Sequence, residues 1–86
     1  LYLIHFPISL KYVDPNTRYP PEWLYDDKSP KTGMIEDNVP IIDTWRAMES
    51  LVKKGLVRNI GISNFGISLL RDLLNSCEIR PSVLQV

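Results

Sequence analysis

Three short, largely apolar segments of the chain each lead into polar side chains. They cover residues 1–4, 57–62 and 82–84, and Pro7, which follows the first, cannot donate a hydrogen bond to a continuing strand. Runs of this length bounded by turn-forming residues are typical of buried β-strands. The polar residues at their ends are His5, Ser63, Asn64 and Gln85. The pattern therefore predicts strands that deliver these side chains to one edge of a sheet.

An amphipathic helix is predicted from Pro40 to Lys54. Its apolar residues recur at steps of three and four positions, which places them on one helical face. They are Ile41, Ile42, Trp45, Met48, Leu51 and Val52. Asp37 or Asn38 is expected to cap the start, because short polar side chains accept hydrogen bonds from the first amides of a helix. Gly55 is expected to end it in a left-handed conformation.

A second helix is predicted from about Gly66 to Cys77, and Pro81 separates it from the last strand. Its apolar face is marked by Leu69, Leu70, Leu73 and Leu74. The resulting order of strand, helix, strand, helix, strand is typical of an α/β fold whose parallel strands are joined by right-handed crossovers. Ligands of such sheets bind at the carboxyl ends of the strands, where the polar residues of the three segments fall.

The stretch from Ser9 to about Asn38 is predicted to be a long loop. Its proline, aspartate, asparagine and glycine residues favour turns over a periodic element. Loops of this length are often lids or binding loops, and the aromatic residues Tyr19, Trp23 and Tyr25 offer surface that would cover a pocket. An insertion that packs on the outside of the fold is the alternative.

Composition narrows the classes of partner. The 86 residues, 44% of them hydrophobic and 23% charged, are typical of one small soluble domain. Ten basic and ten acidic residues cancel, so no charge argument favours nucleic acid or a membrane surface. A single cysteine, Cys77, fits a reducing compartment and favours a cytoplasmic location. Because both ends lie in predicted strands, we expect the chain to be an internal segment of a longer protein.

The polar residues at the strand ends allow several roles. His5 can donate a hydrogen bond to a substrate oxygen, act as a general acid or base, or serve only as a structural residue. Ser63 and Asn64 can equally cap the helix that follows them. Gln85 needs partners for its amide if it is buried. A hydroxyl and two amides that converge would suit a planar group that both donates and accepts, such as a carboxamide.

Other chemistries find no support in the residues. Gly61 and Gly66 match neither the dinucleotide-binding nor the nucleoside-triphosphate-binding spacing. One histidine and one cysteine, distant in the sequence, do not make a metal site. Acidic pairs such as Asp26-Asp27 fall in the predicted loop, where a solvated surface role is the usual one.

Three sequence blocks resemble the aldo-keto reductase family. They are Leu-Tyr-Leu-Ile-His-Phe-Pro at 1–7, Gly-Leu-Val-Arg-Asn-Ile-Gly-Ile-Ser-Asn-Phe at 55–65 and Ile-Arg-Pro-Ser-Val-Leu-Gln-Val at 79–86. The phenylalanine after His5 and the Tyr-Pro-Pro at 19–21 look closest to the xylose (aldose) reductase branch. The resemblance implies a single (β/α)8 TIM-barrel domain, of which these 86 residues are about strands four to six with two helices.

The resemblance also implies reduction of an aldehyde or ketone, such as an aldose, by NADPH or NADH. His5 matches the family's active-site histidine, which orients the substrate carbonyl. The residues matching those that hold the nicotinamide carboxamide are Ser63, Asn64 and Gln85. Phe6 stands where many relatives have a pocket tryptophan, so Phe6 is predicted to reshape the substrate pocket. Trp23 is expected to line the same pocket because of the aromatic surface it gives the loop.

Two alternative functions remain open besides that of an enzyme. The family's tyrosine proton donor belongs before Leu1, so the isolated segment is expected to be inactive, and a truncated interaction fragment is one alternative. Channel-associated relatives that act as regulatory subunits suggest another. His5 counts against that branch, and against the steroid double-bond reductases, which the resemblance suggests carry a glutamate there. The small carbonyl compound itself and the oligomeric state are not specified by these residues.

Overall fold

The computed structural model describes residues 1–16 and 35–86. Its elements follow the predicted order and are β1 (Tyr2–Ile4), α1 (Ile41–Lys53), β2 (Ile60–Ser63), α2 (Ile67–Ser76) and β3 (Leu84–Gln85). Neither helix, in the part of the chain so described, is long and apolar enough to cross a membrane. Both helix predictions are confirmed to within one residue at each end, whereas β2 begins three positions later than predicted.

The three strands form one parallel sheet in the order β1-β2-β3. Tyr2 pairs with Ile60 at the start of the β1–β2 ladder, and Ser63 pairs with Gln85 at the end of the β2–β3 ladder. The parallel arrangement confirms the prediction from the alternation of strands and helices. All residues of the central strand β2 are buried, as expected for a strand covered on both faces.

Gly61 lies in the middle of β2 because its neighbours leave no room for a side chain. A Cβ atom at this position would lie 2.7 Å from Cδ2 of Leu3 and 2.8 Å from the carbonyl oxygen of Val83. That same carbonyl accepts a hydrogen bond from the Ile62 amide at 2.9 Å. The absence of a side chain at Gly61 therefore lets β3 approach β2 closely.

The core lies where the two helices meet β2. Its buried apolar residues are Trp45, Met48, Ile60, Ile62, Phe65 and Leu73. Trp45, in the centre of the predicted apolar face of α1, is fully buried. The three- and four-residue spacing of α1 thus predicted correctly which side of the helix faces the sheet.

The predicted stop of α1 at Gly55 is observed, whereas the predicted side-chain cap at its start is not. Pro40 occupies the position before the first turn and no side chain caps it, so the expected cap by Asp37 or Asn38 is wrong. The Asp37 carboxylate instead accepts a hydrogen bond from the neighbouring Asn38 amide at 3.1 Å. Gly55 adopts φ +77°, as predicted for a left-handed helix stop.

A set of part-buried hydrogen bonds joins α1 to the connection between α2 and β3. The indole nitrogen of Trp45 donates a hydrogen bond to the Ile79 carbonyl at 2.9 Å. One turn later on α1, Oε2 of Glu49 accepts hydrogen bonds from the main-chain amides of Glu78 at 2.7 Å and Ile79 at 2.5 Å. The Glu49 side chain is buried, and these bonds give its carboxylate the partners that a buried charge requires.

Residues Ser9–Asn38 form a compact unit of their own, separate from the unit made of Leu1–Ile8 and Val39–Val86. Its two described ends are joined by an antiparallel bridge between Leu10 and Glu36. The Lys11 amide donates to the Ile35 carbonyl at 2.8 Å, and the Asp37 amide donates to the Ser9 carbonyl at 3.0 Å. These bonds form a closed neck at the base of the predicted loop.

Candidate functional site

The carboxyl ends of the three strands carry the polar residues singled out by the sequence. His5 follows β1, Ser63 ends β2 and is followed by Asn64, and Gln85 ends β3. Since the strands are parallel and adjacent, these residues share one edge of the sheet. Hydrogen bonds connect all of them, so the predicted convergence of these residues is observed.

Asn64 is the centre of this set. Its backbone has φ 59°, a left-handed conformation that asparagine tolerates better than most residues. Its side-chain nitrogen Nδ2 donates to the main-chain carbonyl of His5 at 2.8 Å and approaches the hydroxyl of Ser63 at 3.3 Å. The amide group of one side chain therefore joins the ends of β1 and β2.

Ser63 joins β2 to β3 in a similar way. Its side chain is buried, and its hydroxyl donates to the main-chain carbonyl of Gln85 at 3.1 Å. The alternative role of Ser63 and Asn64 as helix caps is not observed, because α2 begins after Gly66 and no side chain caps it. Both side chains instead connect neighbouring strand ends.

The hydrogen bonds leave defined groups for a ligand. His5 accepts the Asn64 amide N–H at its main-chain carbonyl, which orients the amide so that Oδ1 remains as an acceptor. Gln85 is exposed, and the Ser63 hydroxyl bonds to its main-chain carbonyl, so its side-chain amide keeps its donors and acceptor within the described part of the chain. A carboxamide has a matching NH2 group and carbonyl oxygen. The donor set therefore fits a nicotinamide carboxamide.

His5 and Phe6 lie side by side at the end of β1. Their ring centroids are 4.3 Å apart with an interplanar angle of 16°, a stacked arrangement. Both residues are exposed, and the imidazole nitrogens make no hydrogen bond to the described residues. The structural-histidine alternative, in which the ring is paired by the backbone, has no support in these contacts.

Some predicted site residues are not placed by the structure. Trp23, assigned to the substrate pocket, lies outside the described residues, as do Tyr19 and Tyr25. Within residues 1–16 and 35–86 no group of three histidine, cysteine or acidic side chains could hold a metal ion. An apolar cleft of about 400 Å³ lies between β1 and α1, and none of the candidate site residues lines it.

Two residues that fix the position of β3, and with it Gln85, were not predicted from the sequence. Glu49 anchors the segment that leads into β3, and Gly61 permits the close approach of β3 to β2. A signal for Glu49 was present, since it lies one helical turn after Trp45 on the apolar side of α1. A glycine inside a strand is likewise a known sign of close backbone approach.

The sequence and structure of the chain are similar to those of known proteins over nearly its whole length. The profile of the aldo/keto reductase family matches residues 1–86. The NAD(P)H-dependent D-xylose reductase of Aspergillus niger is 57% identical over 86 residues, 100% of this chain and 26% of that protein. The aldose reductase of Giardia lamblia has a TM-score of 0.73 and 40% identity over 95% of this chain and 24% of that one. A Bombyx mori aldo-keto reductase in complex with NADP has a TM-score of 0.64 and 29% sequence identity, over 96% of this chain and 20% of that one.

The chain belongs to the aldo/keto reductase family. The resemblance read from its three sequence blocks is thereby confirmed, including the likeness to xylose and aldose reductases. Members of this family are (β/α)8 barrels, and the alternating parallel elements described above are consistent with part of one. The chain spans about a quarter of the length of the curated relatives it matches.

Proposed function

We propose that these residues form part of an enzyme that reduces an aldehyde or ketone, such as an aldose, to the alcohol with NADPH or NADH. The observation that carries this proposal is the hydrogen-bonded set at the carboxyl ends of the parallel strands, which leaves groups suited to a carboxamide. The relatives add weight, since the Aspergillus niger protein is an NAD(P)H-dependent D-xylose reductase and the Bombyx mori structure is a complex with NADP. The reaction takes place in the cytosol, consistent with the free thiol of Cys77.

The cofactor side of the site is assigned to the ends of β2 and β3. Asn64 Oδ1 accepts from the carboxamide NH2 group, and the Gln85 side-chain amide donates to the carboxamide oxygen. Ser63 holds the Gln85 main chain and, with one lone pair left, can accept a further N–H. The nicotinamide, when bound, supplies the hydride that reduces the carbonyl carbon.

The substrate side is assigned to the end of β1. His5 donates an N–H hydrogen bond to the carbonyl oxygen and orients the substrate for hydride transfer, which makes it a catalytic residue in contact with the reacting group. Phe6, stacked on His5, bounds the substrate pocket. We assign β1, β2 and β3 to about strands four to six of the barrel, with the proton donor outside residues 1–86.

The proposal predicts that the full-length protein carrying this segment oxidises NADPH when D-xylose or a simple aldehyde is added. His5→Ala should lower kcat/KM for the carbonyl by about 10²–10⁴, the range for loss of a positioned proton donor or hydrogen-bond donor in a site of this kind. The NADPH Kd, measured by cofactor fluorescence, should change little, because His5 is placed on the substrate side.

A chimaera provides an independent arm of this experiment. The matching segment of the Aspergillus niger reductase can be replaced by these 86 residues, which align with it over their whole length. We expect the chimaera to reduce D-xylose and to lose that activity on His5→Ala. Absence of turnover with any carbonyl in both proteins, despite NADPH binding, would reject a reductase and favour a non-catalytic cofactor-binding subunit.

A further inference from the structure

We propose that Asn64 is a positioning residue for His5, so that the side chain facing the cofactor also fixes the main chain of the substrate-side histidine. The inference rests on the proposed function and goes beyond a role for Asn64 in cofactor binding alone. Its basis is the 2.8 Å hydrogen bond from Asn64 Nδ2 to the His5 carbonyl, which links residues 59 positions apart in the sequence.

The main chain of His5 depends on this hydrogen bond because His5 is not paired with a neighbouring strand of the described sheet. The last paired residues of the β1–β2 ladder are Ile4 and Ile62, so His5 lies beyond the ladder. Pro7, two residues further on, has no amide N–H with which to resume it. Within residues 1–16 and 35–86, the bond from Asn64 is the hydrogen bond that the structure gives to His5.

Asparagine meets three demands at position 64 at once. The backbone requires a left-handed φ of 59°, which asparagine, aspartate and glycine tolerate best. The His5 carbonyl requires a donor, which asparagine has and aspartate lacks. The cofactor carboxamide requires an acceptor, which asparagine and aspartate both have and glycine does not. Substitutions at this one position can therefore separate the demands.

Asn64→Asp is the decisive variant because it keeps the backbone preference and the acceptor while it removes the donor. In the full-length protein with NADPH saturating, we expect kcat for D-xylose to fall by about 10²-fold, the effect of a misplacement of about 1 Å at a reacting group. The NADPH Kd from cofactor fluorescence should change by less than about tenfold, the value of roughly one hydrogen bond. Asn64→Gly should lower kcat similarly and also weaken NADPH binding.

A double-mutant cycle shows whether Asn64 acts through His5. If it does, Asn64→Asp should lower kcat much less in the His5→Ala protein than in the wild type, since the group it positions is already gone. Ser63→Ala is the matched comparison, because it breaks the bond to the Gln85 carbonyl and the longer 3.3 Å contact with Asn64, and leaves the 2.8 Å bond from Asn64 to His5 in place. Its effect should be the same in both backgrounds.

The outcomes separate this inference from the proposed function. A wild-type protein that reduces no carbonyl rejects the proposed function. A wild-type protein that turns over, with an Asn64→Asp variant that keeps its kcat or whose effect adds fully to that of His5→Ala, overturns the positioning role. If Asn64→Asp does not fold, Asn64→Gly in the same cycle decides the question, because glycine accommodates the left-handed backbone.

Discussion

At the scale of single residues, Gly61 has a larger structural role than its lack of a side chain suggests. The nearest atom of Leu3 belongs to the tip of a flexible side chain and can move aside, but the nearest atom of Val83 is a main-chain carbonyl oxygen. That oxygen is engaged in a hydrogen bond to β2, so it cannot retreat without opening the sheet. Gly61 therefore controls the distance between the strands that carry Ser63 and Gln85.

Gly61→Ala should lower the free energy of unfolding of the full-length protein by about 1–3 kcal/mol, the usual result of overpacking a tight core position. The added methyl group would sit 2.8 Å from the Val83 oxygen and push β3 away from β2. Urea denaturation followed by circular dichroism measures the change. Because β3 carries Gln85, the NADPH Kd should also rise.

Gly66→Ala is the matched control for this prediction. A Cβ atom at Gly66 would meet nothing within 4 Å, and its φ of −79° suits any residue. We expect the free energy of unfolding to fall by at most about 0.5–1 kcal/mol, because alanine is less favourable than glycine at the position before the first turn of a helix. Equal losses in the two variants would show that close strand approach is not the reason for the glycine at position 61.

At the scale of elements, Glu49 makes α1 a fixed support for the chain that leads into β3. Its Oε2 atom alone accepts the hydrogen bonds of the amides at Glu78 and Ile79, while Trp45 donates to the same segment. The segment thus donates two hydrogen bonds through the amides of Glu78 and Ile79 and accepts one through the Ile79 carbonyl. Loss of the carboxylate would leave amides without partners in a part-buried region.

Glu49→Ala should destabilise the full-length protein by about 2–4 kcal/mol, because two part-buried amides lose their partner and a fully buried one would cost about 1–3 kcal/mol. Glu49→Gln should lose less than half as much, since both bonds go to one oxygen and a glutamine has a carbonyl oxygen to accept them. Thermal or urea denaturation distinguishes the two variants. A glutamine variant as unstable as the alanine variant would show that the charge, and not the acceptor, is what stabilises the segment.

Glu78→Ala is the control on the same segment, because it keeps the Glu78 amide and removes an exposed carboxylate. This carboxylate pairs with Lys53 at 2.7 Å, and their mutual hydrogen bond lowers the pKa of Glu78 and raises the pKa of Lys53. A lowered carboxylate pKa stabilises the fold above its unfolded pKa, and that contribution is lost as the pH falls through the folded value. Both side chains of the pair are exposed, so we expect Glu78→Ala to have a small, salt-sensitive effect on stability.

The helices and the strand ends were predictable from sequence because each depends on local pattern. α1 carries six apolar residues at helical spacing, and its observed bounds are Ile41–Lys53. The start of β2 was less predictable, since a strand begins where a partner pairs with it, and Tyr2 pairs with Ile60 rather than Val57. The convergence of Ser63 and Gln85 followed from the parallel order, but the contact from Asn64 to the His5 main chain depends on a backbone conformation that the sequence does not state.

At the scale of the whole molecule, the two outer strands and one helix carry much apolar surface that the described residues 1–16 and 35–86 leave exposed. Leu1 is 68% exposed on the β1 side, Leu84 is 41% exposed on the β3 side, and Ile67 of α2 is 85% exposed. The apolar cleft between β1 and α1 adds to this surface. Parallel sheets are stable when both faces and both edges are covered, so this arrangement calls for further packing partners.

The 86-residue polypeptide on its own is therefore expected to aggregate or to remain partly unfolded. Exposed strand edges favour association between chains, and a small core adds little stability. Size-exclusion chromatography and a thermal melt followed by near-UV circular dichroism test this directly. A monomer with a sharp cooperative melt would contradict the expectation and would indicate that the three strands and two helices are a stable unit.

The closed neck of the Ser9–Asn38 unit gives the fold a place where length can vary at little cost. Its ends are joined by their own main-chain bonds, between Lys11 and Ile35 and between Ser9 and Asp37. For a loop closed in this way, each doubling of length costs only about 0.6 kcal/mol. Residues 12–34 can thus be exchanged as a cassette, which offers evolution and protein engineers a way to vary this part of the chain without rebuilding the sheet that carries His5.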